Sequence, residues 1–192
     1  MTREEALQIV KKYLTNQNLI KHSLAAEAAM QGIYDRLSQN TDQYSEIDRE
    51  KWGLTGLMHD ADYEMAKGQP EIHGLLLFEK EPGVIPPDIE HAIKAHNYEY
   101  TKIMPETPMD WAIACCDQLT GLIVAGALIH PDRKLASITV DFIMKRFNEK
   151  SFAKGASRDA IILCEEKLGI PLNEFILIVL TAMQGIHEDL GL

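Results

Sequence analysis

Cysteine is scarce in this chain. Cys115, Cys116 and Cys164 are odd in number, two are adjacent and none has CxxC spacing, so neither a disulfide framework nor a zinc knuckle is indicated. They suit reduced thiols buried as small hydrophobes, and no partner motif marks any of them as a nucleophile. No apolar run approaches the roughly 18 to 20 residues that span a bilayer, and MTREEALQIVKKYL reads as an amphipathic helix rather than a signal peptide. The expectation is a soluble, cytoplasmic protein with no membrane partner. Positive charge is also lacking. A net charge of -10 works against binding long nucleic acid, whose affinity rests on neutralised phosphates. A small phosphorylated ligand then needs positive charge supplied locally. A metal would supply it, or the segment from Lys145 to Arg158, where five Lys/Arg face the single acid Glu149.

Period-two alternation is missing as well, so β structure is expected to be negligible. The eight prolines and twelve glycines are scattered as punctuation, with no linker and no fixed-period repeat, which points to one domain over 1–192. What is present reads as helix throughout. Thr2 and Glu5 form a capping box ahead of a helix to about Leu14, and a second helix runs from about Gln17 to Leu37. Polar SQNTDQYSEID is a loop, and a helix from about Asp48 carries Trp52, Leu54 and Leu57 into LMHDADYE. Pro70 opens a short helix ending near Pro82-Gly83, Pro86-Pro87 a fifth, and Thr107-Pro108 a long sixth that His130-Pro131 stops. Three more are predicted near 136–148, 157–168 and 171–189. The fold class is all-α, a helical bundle with mostly short connections. The last helix, PLNEFILIVLTAMQGI, is apolar on much of its circumference and is either deeply buried or part of a homodimer contact.

Helical stepping of about 100° per residue places the polar candidates on faces. His22 shares its face with Leu19, Ala25, Ala26, Ala29 and Ile33, a small-residue surface that lets another helix approach. His96 lies with Ile89, Ala92 and Ile93, whereas His91, about 140° round the same helix, lies with Asp88 and Lys94. Asp117 falls with Ile113, Ala114, Gly121 and Val124, aiming a carboxylate into the core, which is costly unless it is paired or binds a metal. Taken singly, an inward histidine is ordinarily a satisfied core residue and a buried aspartate a helix cap or ion-pair partner. Their number changes the reading. His22, His96 and Asp117, joined by His59-Asp60 and His73, make a set of imidazoles and carboxylates with no basic partner on the same faces, and a metal cation would satisfy them together.

With His22 in IKHSL, His59-Asp60 in GLMHDADYE and Asp117 in ACCDQLTGLI on successive helices, the sequence resembles the HD superfamily of metal-dependent phosphohydrolases. The similarity runs from about His22 to Leu128. EIHGLLLFEK and HAIKAHN are similar to the regions where many members place two further histidines for a second ion, which implies that role for His73 and His96. Ala61-Asp62 stands where the HDIG subgroup has Ile-Gly, and Tyr63 where some members have a catalytic glutamate. The resemblance implies a metal-binding core over about 17–129 with a helical extension over about 130–192. It also implies one or two divalent ions held by His22, His59, Asp60, His73, His96 and Asp117, with Asp60 bridging. Mixed His and Asp ligands without thiolate suit Mn²⁺, Fe²⁺, Ni²⁺, Zn²⁺ or, less well, Mg²⁺.

The implied activity is cleavage of a small phosphoester, a nucleotide in the first instance, by a metal-activated water, with Asp60 catalytic and no protein nucleophile. Asp62 and Glu64 are candidates for orienting that water or protonating the leaving group. Lys154 and Arg158, with Lys67 and Lys94 nearer the ligands in sequence, are candidates for holding phosphate, or else a solvated surface. Two alternatives stand beside this reading: a diiron oxygenase on an HD-type site, and a non-catalytic helical module that senses a metal or nucleotide.

Overall fold

In a computed structural model that describes residues 1–39 and 45–192, the chain is all-α, with no strand among the described residues. The helices are α1 Arg3–Tyr13, α2 Gln17–Ser38, α3 Glu46–Met58, α4 Tyr63–Ala66, α5 Leu76–Lys80, α6 Pro87–His96 and α7 Tyr98–Thr101. They continue with α8 Pro108–Ile129, a 3₁₀ turn Leu135–Ser137, α9 Val140–Asn148, α10 Arg158–Leu168, α11 Leu172–Gly185 and α12 His187–Leu190. Most boundaries fall where their caps put them. Thr2 Oγ1 accepts from the Glu5 amide at 3.2 Å while Glu5 accepts from the Thr2 amide at 2.8 Å, so both halves of the expected box are made. A second box, Thr107 with Asp110, opens α8 behind Pro108. The loop expected over 38–48 lies partly outside the described residues, but Ser45 caps α3 through the Asp48 amide.

Differences arise where left-handed backbone interrupts a helical pattern. The helix expected from Pro70 begins only at Leu76, because Gly74 sits at φ 86° and residues 70–75 form turns. An unanticipated single turn, α4, is closed by Lys67 and Gly68, both at positive φ. α9 starts at Val140 because Thr139 caps it, leaving the preceding residues in the 3₁₀ turn.

Two apolar clusters hold the helices together. The larger gathers α2, α8, α10 and α11 around Met30, Ile33, Ile113, Leu119 and Phe175, and the smaller joins α1, α3 and α6 through Val10, Leu57, Met58, Ile89 and Ile93. α2 and α6 contribute to both, so they tie the clusters together. The segment after 130 shares the larger cluster. α11, apolar round much of its surface, buries Phe175, Ile176, Val179 and Met183 there and leaves Leu177 half exposed.

α8 corrects one sequence expectation. Pro108–Ile129 is long and apolar enough to cross a membrane by length and composition, with mean hydropathy 1.8 over an 18-residue window. In this fold 61% of that window is buried inside the protein, because α8 is the core helix against which α2, α6 and α10 pack. Asp110, Asp117 and Gln118 break the continuous apolar run, but they are too few to bring the windowed mean down.

α2 crosses close on α3. A Cβ at Gly56 would lie 2.4 Å from the Ala26 carbonyl oxygen, so only glycine lets the two backbones meet there. Gly56→Ala must push the helices apart, and we expect it to cost about 1–3 kcal/mol, read as a lowered midpoint in urea unfolding. It also separates His22 from His59, so metal affinity should fall with stability.

Candidate metal centre

Four helices and one turn deliver the candidate ligands. His22 comes from the second turn of α2, and His59 caps the C-terminus of α3 with Asp60 directly after it. His73 lies in the turn before α5, His96 ends α6, and Asp117 lies midway along α8. The fold brings all six together as two groups. His22, His59 and Asp117 offer ligand atoms within 4.8 Å of one another, and so do Asp60, His73 and His96. Asp60 lies between the groups. Its Oδ2 is 3.4 Å from His22 Nε2, while its Oδ1 is 3.0 Å from His73 Nε2, 3.5 Å from His59 Nε2 and 3.9 Å from His96 Nε2. Asp117 Oδ1 stands 2.8 Å from His22 Nε2 and 3.4 Å from His59 Nε2.

Each imidazole is held from behind by its other nitrogen. His59 Nδ1 donates to the Gly56 carbonyl at 2.8 Å, and His96 Nδ1 donates to the Ile93 carbonyl. His73 Nδ1 donates to Asp62 Oδ1 at 2.8 Å. His22 Nδ1 is 3.3 Å from Thr120 Oγ1, whose own proton goes to the Asp117 carbonyl, so the hydroxyl is left to accept. In all four rings Nε2 therefore faces the carboxylates. Backing a ligand imidazole through its far N–H is the usual way proteins fix its tautomer and ring direction.

The residues fit a cation on a direct observation: His59 Nε2 is fully buried and has no hydrogen-bond partner. A buried polar atom left this way is costly unless something else engages it. The electrostatics agree. Burial pushes the Asp60 and Asp117 carboxyls up, but the surrounding imidazoles outweigh it and hold both below the ordinary carboxylate range. Burial pulls His59 down, yet Asp60 and Asp117 raise it to about 9; against the same opposition, Asp60 and Asp62 raise His73 to about 10. His96 goes the other way, to about 4, because burial is joined by repulsion from His73 and His59. Without a metal, the cluster holds its anions together with protons.

No protein-family model, curated protein or solved structure matches the chain. The candidate centre therefore rests on its own geometry.

That geometry separates the remaining sequence candidates. Asp62 is buried, and its carboxylate accepts from His73 Nδ1, from the Gly74 amide and from the Leu77 amide, so it positions His73 and has no free oxygen facing the cavity for catalysis. Gly74 is required beside it, since its φ is 86° and a Cβ would lie 3.1 Å from the Ile93 carbonyl. Glu64 accepts from the Thr15 and Asn16 amides and tethers the start of α2, away from the ligands. The Arg158 guanidinium is engaged elsewhere: it donates to the carbonyls of Arg146, Phe147, Phe152, Ala153 and Ala156 and pins the 149–157 turn. Lys154 is exposed on that turn, and Lys94 is paired with Glu90. His91 donates to Asp110 at the mouth of α8, outside both groups, as its helical face implied.

Sequence reasoning missed the supports. Asp62 had a usable signal, a carboxylate eleven residues before His73, but the contact depends on the turn at Gly74. The Gly56 and Ile93 carbonyls lie three residues before their histidines, a spacing that helix ends produce without any side-chain signature. The thiols are inert: burial raises Cys115 and Cys116 above the usual range and pushes Cys164 to about 12.

Since Asp62 acts through His73, Asp62→Asn keeps the shape but removes the charge behind the ring. Metal affinity should fall by about 10–100-fold, as is usual when such a support is lost, measured by chelator competition.

Proposed function

We propose that this chain is a metal-dependent phosphohydrolase of the HD type, cleaving a small phosphoester with water as the nucleophile. The observation that carries the reading is the Asp60 carboxylate set between the His22, His59 and Asp117 group on one side and His73 and His96 on the other, with all four imidazoles turning Nε2 toward it. Asp60 is the group suited to bridge two ions, with His22, His59 and Asp117 on one side and His73 and His96 on the other. Mn²⁺, Fe²⁺, Ni²⁺ and Zn²⁺ suit these donors, and Mg²⁺ less so. A divalent ion held there supplies charge to the phosphoryl oxygens and lowers the pKa of water toward about 7.

The chain's own residues do the rest. Asp60 and Asp117 stay ionised and give the site its negative charge, and His59 and His73 give up protons when a cation takes their place. Asp62, Thr120 and the two carbonyls keep the rings aligned. A cavity of about 600 Å³ opens beside the cluster, bordered by His22, Asp60, His73, His96 and Asp117, so a substrate can reach these atoms from one side. Tyr63, half exposed with its ring against His73, forms part of its wall. Among the described residues no Ser, Thr, Cys or Lys side chain lines it, which favours direct attack by water over a covalent intermediate.

The test is hydrolysis of phenyl phosphate and nucleoside monophosphates by Mn²⁺-loaded protein in anaerobic buffer. Turnover without O₂ is expected, and it removes the diiron oxygenase reading. Full metal occupancy with no turnover of any phosphoester, together with binding of an unhydrolysed nucleotide, would instead establish a sensing module.

A further inference from the structure

The cavity beside the metal centre differs from a polyphosphate site in one respect: no Lys or Arg lines it among the described residues. Residues 40–44, outside that description, contain none in sequence either. The nearby cations are engaged, or exposed and outside the lining. Arg158 is held by backbone carbonyls, Lys94 pairs with Glu90, and Lys67 and Lys154 are exposed. Meanwhile the floor carries two carboxylates, Asp60 and Asp117, in a chain of net charge -10. Metal ions would offset the charge of the reacting phosphoryl group, but any further negative charge on a substrate would meet no Lys or Arg on the described lining.

Beside these carboxylates the wall is bare instead of basic. Gly121 lies one turn past Asp117 on the same face of α8, exposed to the cavity, and a Cβ there would meet nothing within 4 Å. Glycine is the weakest helix former after proline, and no neighbouring backbone demands it here. The missing side chain leaves the α8 backbone as a flat wall. Ala153, Gly155 and Ala156 of the turn pinned by Arg158 also line the cavity, and with the carboxamides of Asn97 and Gln118 they make this part of the surface small and uncharged.

We propose that the site selects a phosphomonoester carried on an uncharged organic group, which packs against α8 at Gly121, and discriminates against substrates bearing further anionic charge. This rests on the phosphohydrolase reading and narrows it. Nucleoside monophosphates and neutral sugar or aryl phosphates fit, whereas nucleoside di- and triphosphates and bisphosphates do not.

Two non-hydrolysable isosteres that differ by one charge test it: para-carbamoylbenzylphosphonate and para-carboxybenzylphosphonate, titrated calorimetrically into Mn²⁺-loaded protein. The carbamoyl compound should bind at least about tenfold more tightly, since a like charge set against the acidic cavity is strongly disfavoured. Gly121→Arg, which places a guanidinium in the open space, should abolish or reverse that preference. Gly121→Leu should weaken both ligands by filling the wall while leaving the circular dichroism spectrum helical. Equal or tighter binding of the carboxylate by the unmodified protein overturns the proposal and leaves the phosphohydrolase reading standing. If neither phosphonate binds the metal-loaded protein, the phosphohydrolase reading falls and takes the proposal with it.

Discussion

Asp117→Ala and His59→Ala proteins should each emerge from chelator-free purification without bound metal and without phosphoester hydrolysis, while keeping a helical circular dichroism spectrum. Asp117 offers one oxygen to both His22 and His59, so its loss strips the first group of its only carboxylate. His59 is fully buried, and its Nε2 makes no hydrogen bond while facing Asp60 and Asp117, so its loss leaves a gap in the first group. The expected loss of affinity exceeds the roughly 10–100-fold that follows loss of a supporting residue, because here a ligand itself is gone. The helices should survive, since the apolar clusters that hold α2, α3 and α8 do not depend on these side chains. His91→Ala is the control. It removes a hydrogen bond to Asp110, which still accepts from the Glu106 and Thr107 amides, so metal content should be unchanged. If His91→Ala strips the metal, the division between the two faces of α6 is wrong.

The second large effect is on pH. In the metal-free protein His59, at about 9, and His73, at about 10, both hold protons at neutral pH, and a cation must displace them. Apparent metal affinity should therefore climb by about 100-fold per pH unit below about 9, by about tenfold per unit between about 9 and 10, and level off above that. Asp60 and Asp117 add nothing to this slope, because they are already ionised. Stability of the metal-free protein should move the opposite way. Both histidines have folded pKa values above the unfolded value of about 6.5, so their contribution is complete below that pH and is lost as pH rises through about 9 to 10. Urea unfolding of chelator-treated protein between pH 6 and 10 reads one trend, and chelator competition over the same range reads the other. A metal affinity that is flat across this range would show that His59 and His73 do not exchange protons for a cation.

How much of this was legible in the sequence depends on what each feature requires. Most helices were legible because capping residues and prolines act locally: Thr2, Thr107 and Pro108 all stand where a helix begins, whereas Ser45, read as loop, caps a helix expected only from about Asp48. The ligand residues were legible because a charge or imidazole on an apolar face stands out against 3.6-residue periodicity, and that reasoning separated His96 from His91. What periodicity could not give was direction outside helices. Asp62 looked like a spare acid because the turn at Gly74, which folds two amides and His73 onto it, is set by backbone conformation. Arg158 looked like a phosphate anchor for a similar reason. Its five carbonyl partners are main-chain atoms that any sequence would present, and only the path of the 149–157 turn gathers them round the guanidinium. The emptiness at Gly121 was equally hidden, since a glycine in a helix says nothing about whether space lies above it.

The account turns on one claim, that the six residues form a divalent-metal centre. The most direct measurement is elemental analysis of the protein purified without chelators, at pH 8, alongside Asp117→Ala prepared identically. The account predicts one or two equivalents of a transition metal per chain in the unmodified protein and none in the variant. An unmodified protein that carries no metal, and takes up none from Mn²⁺, Fe²⁺, Ni²⁺ or Zn²⁺ added at pH 8, would contradict it.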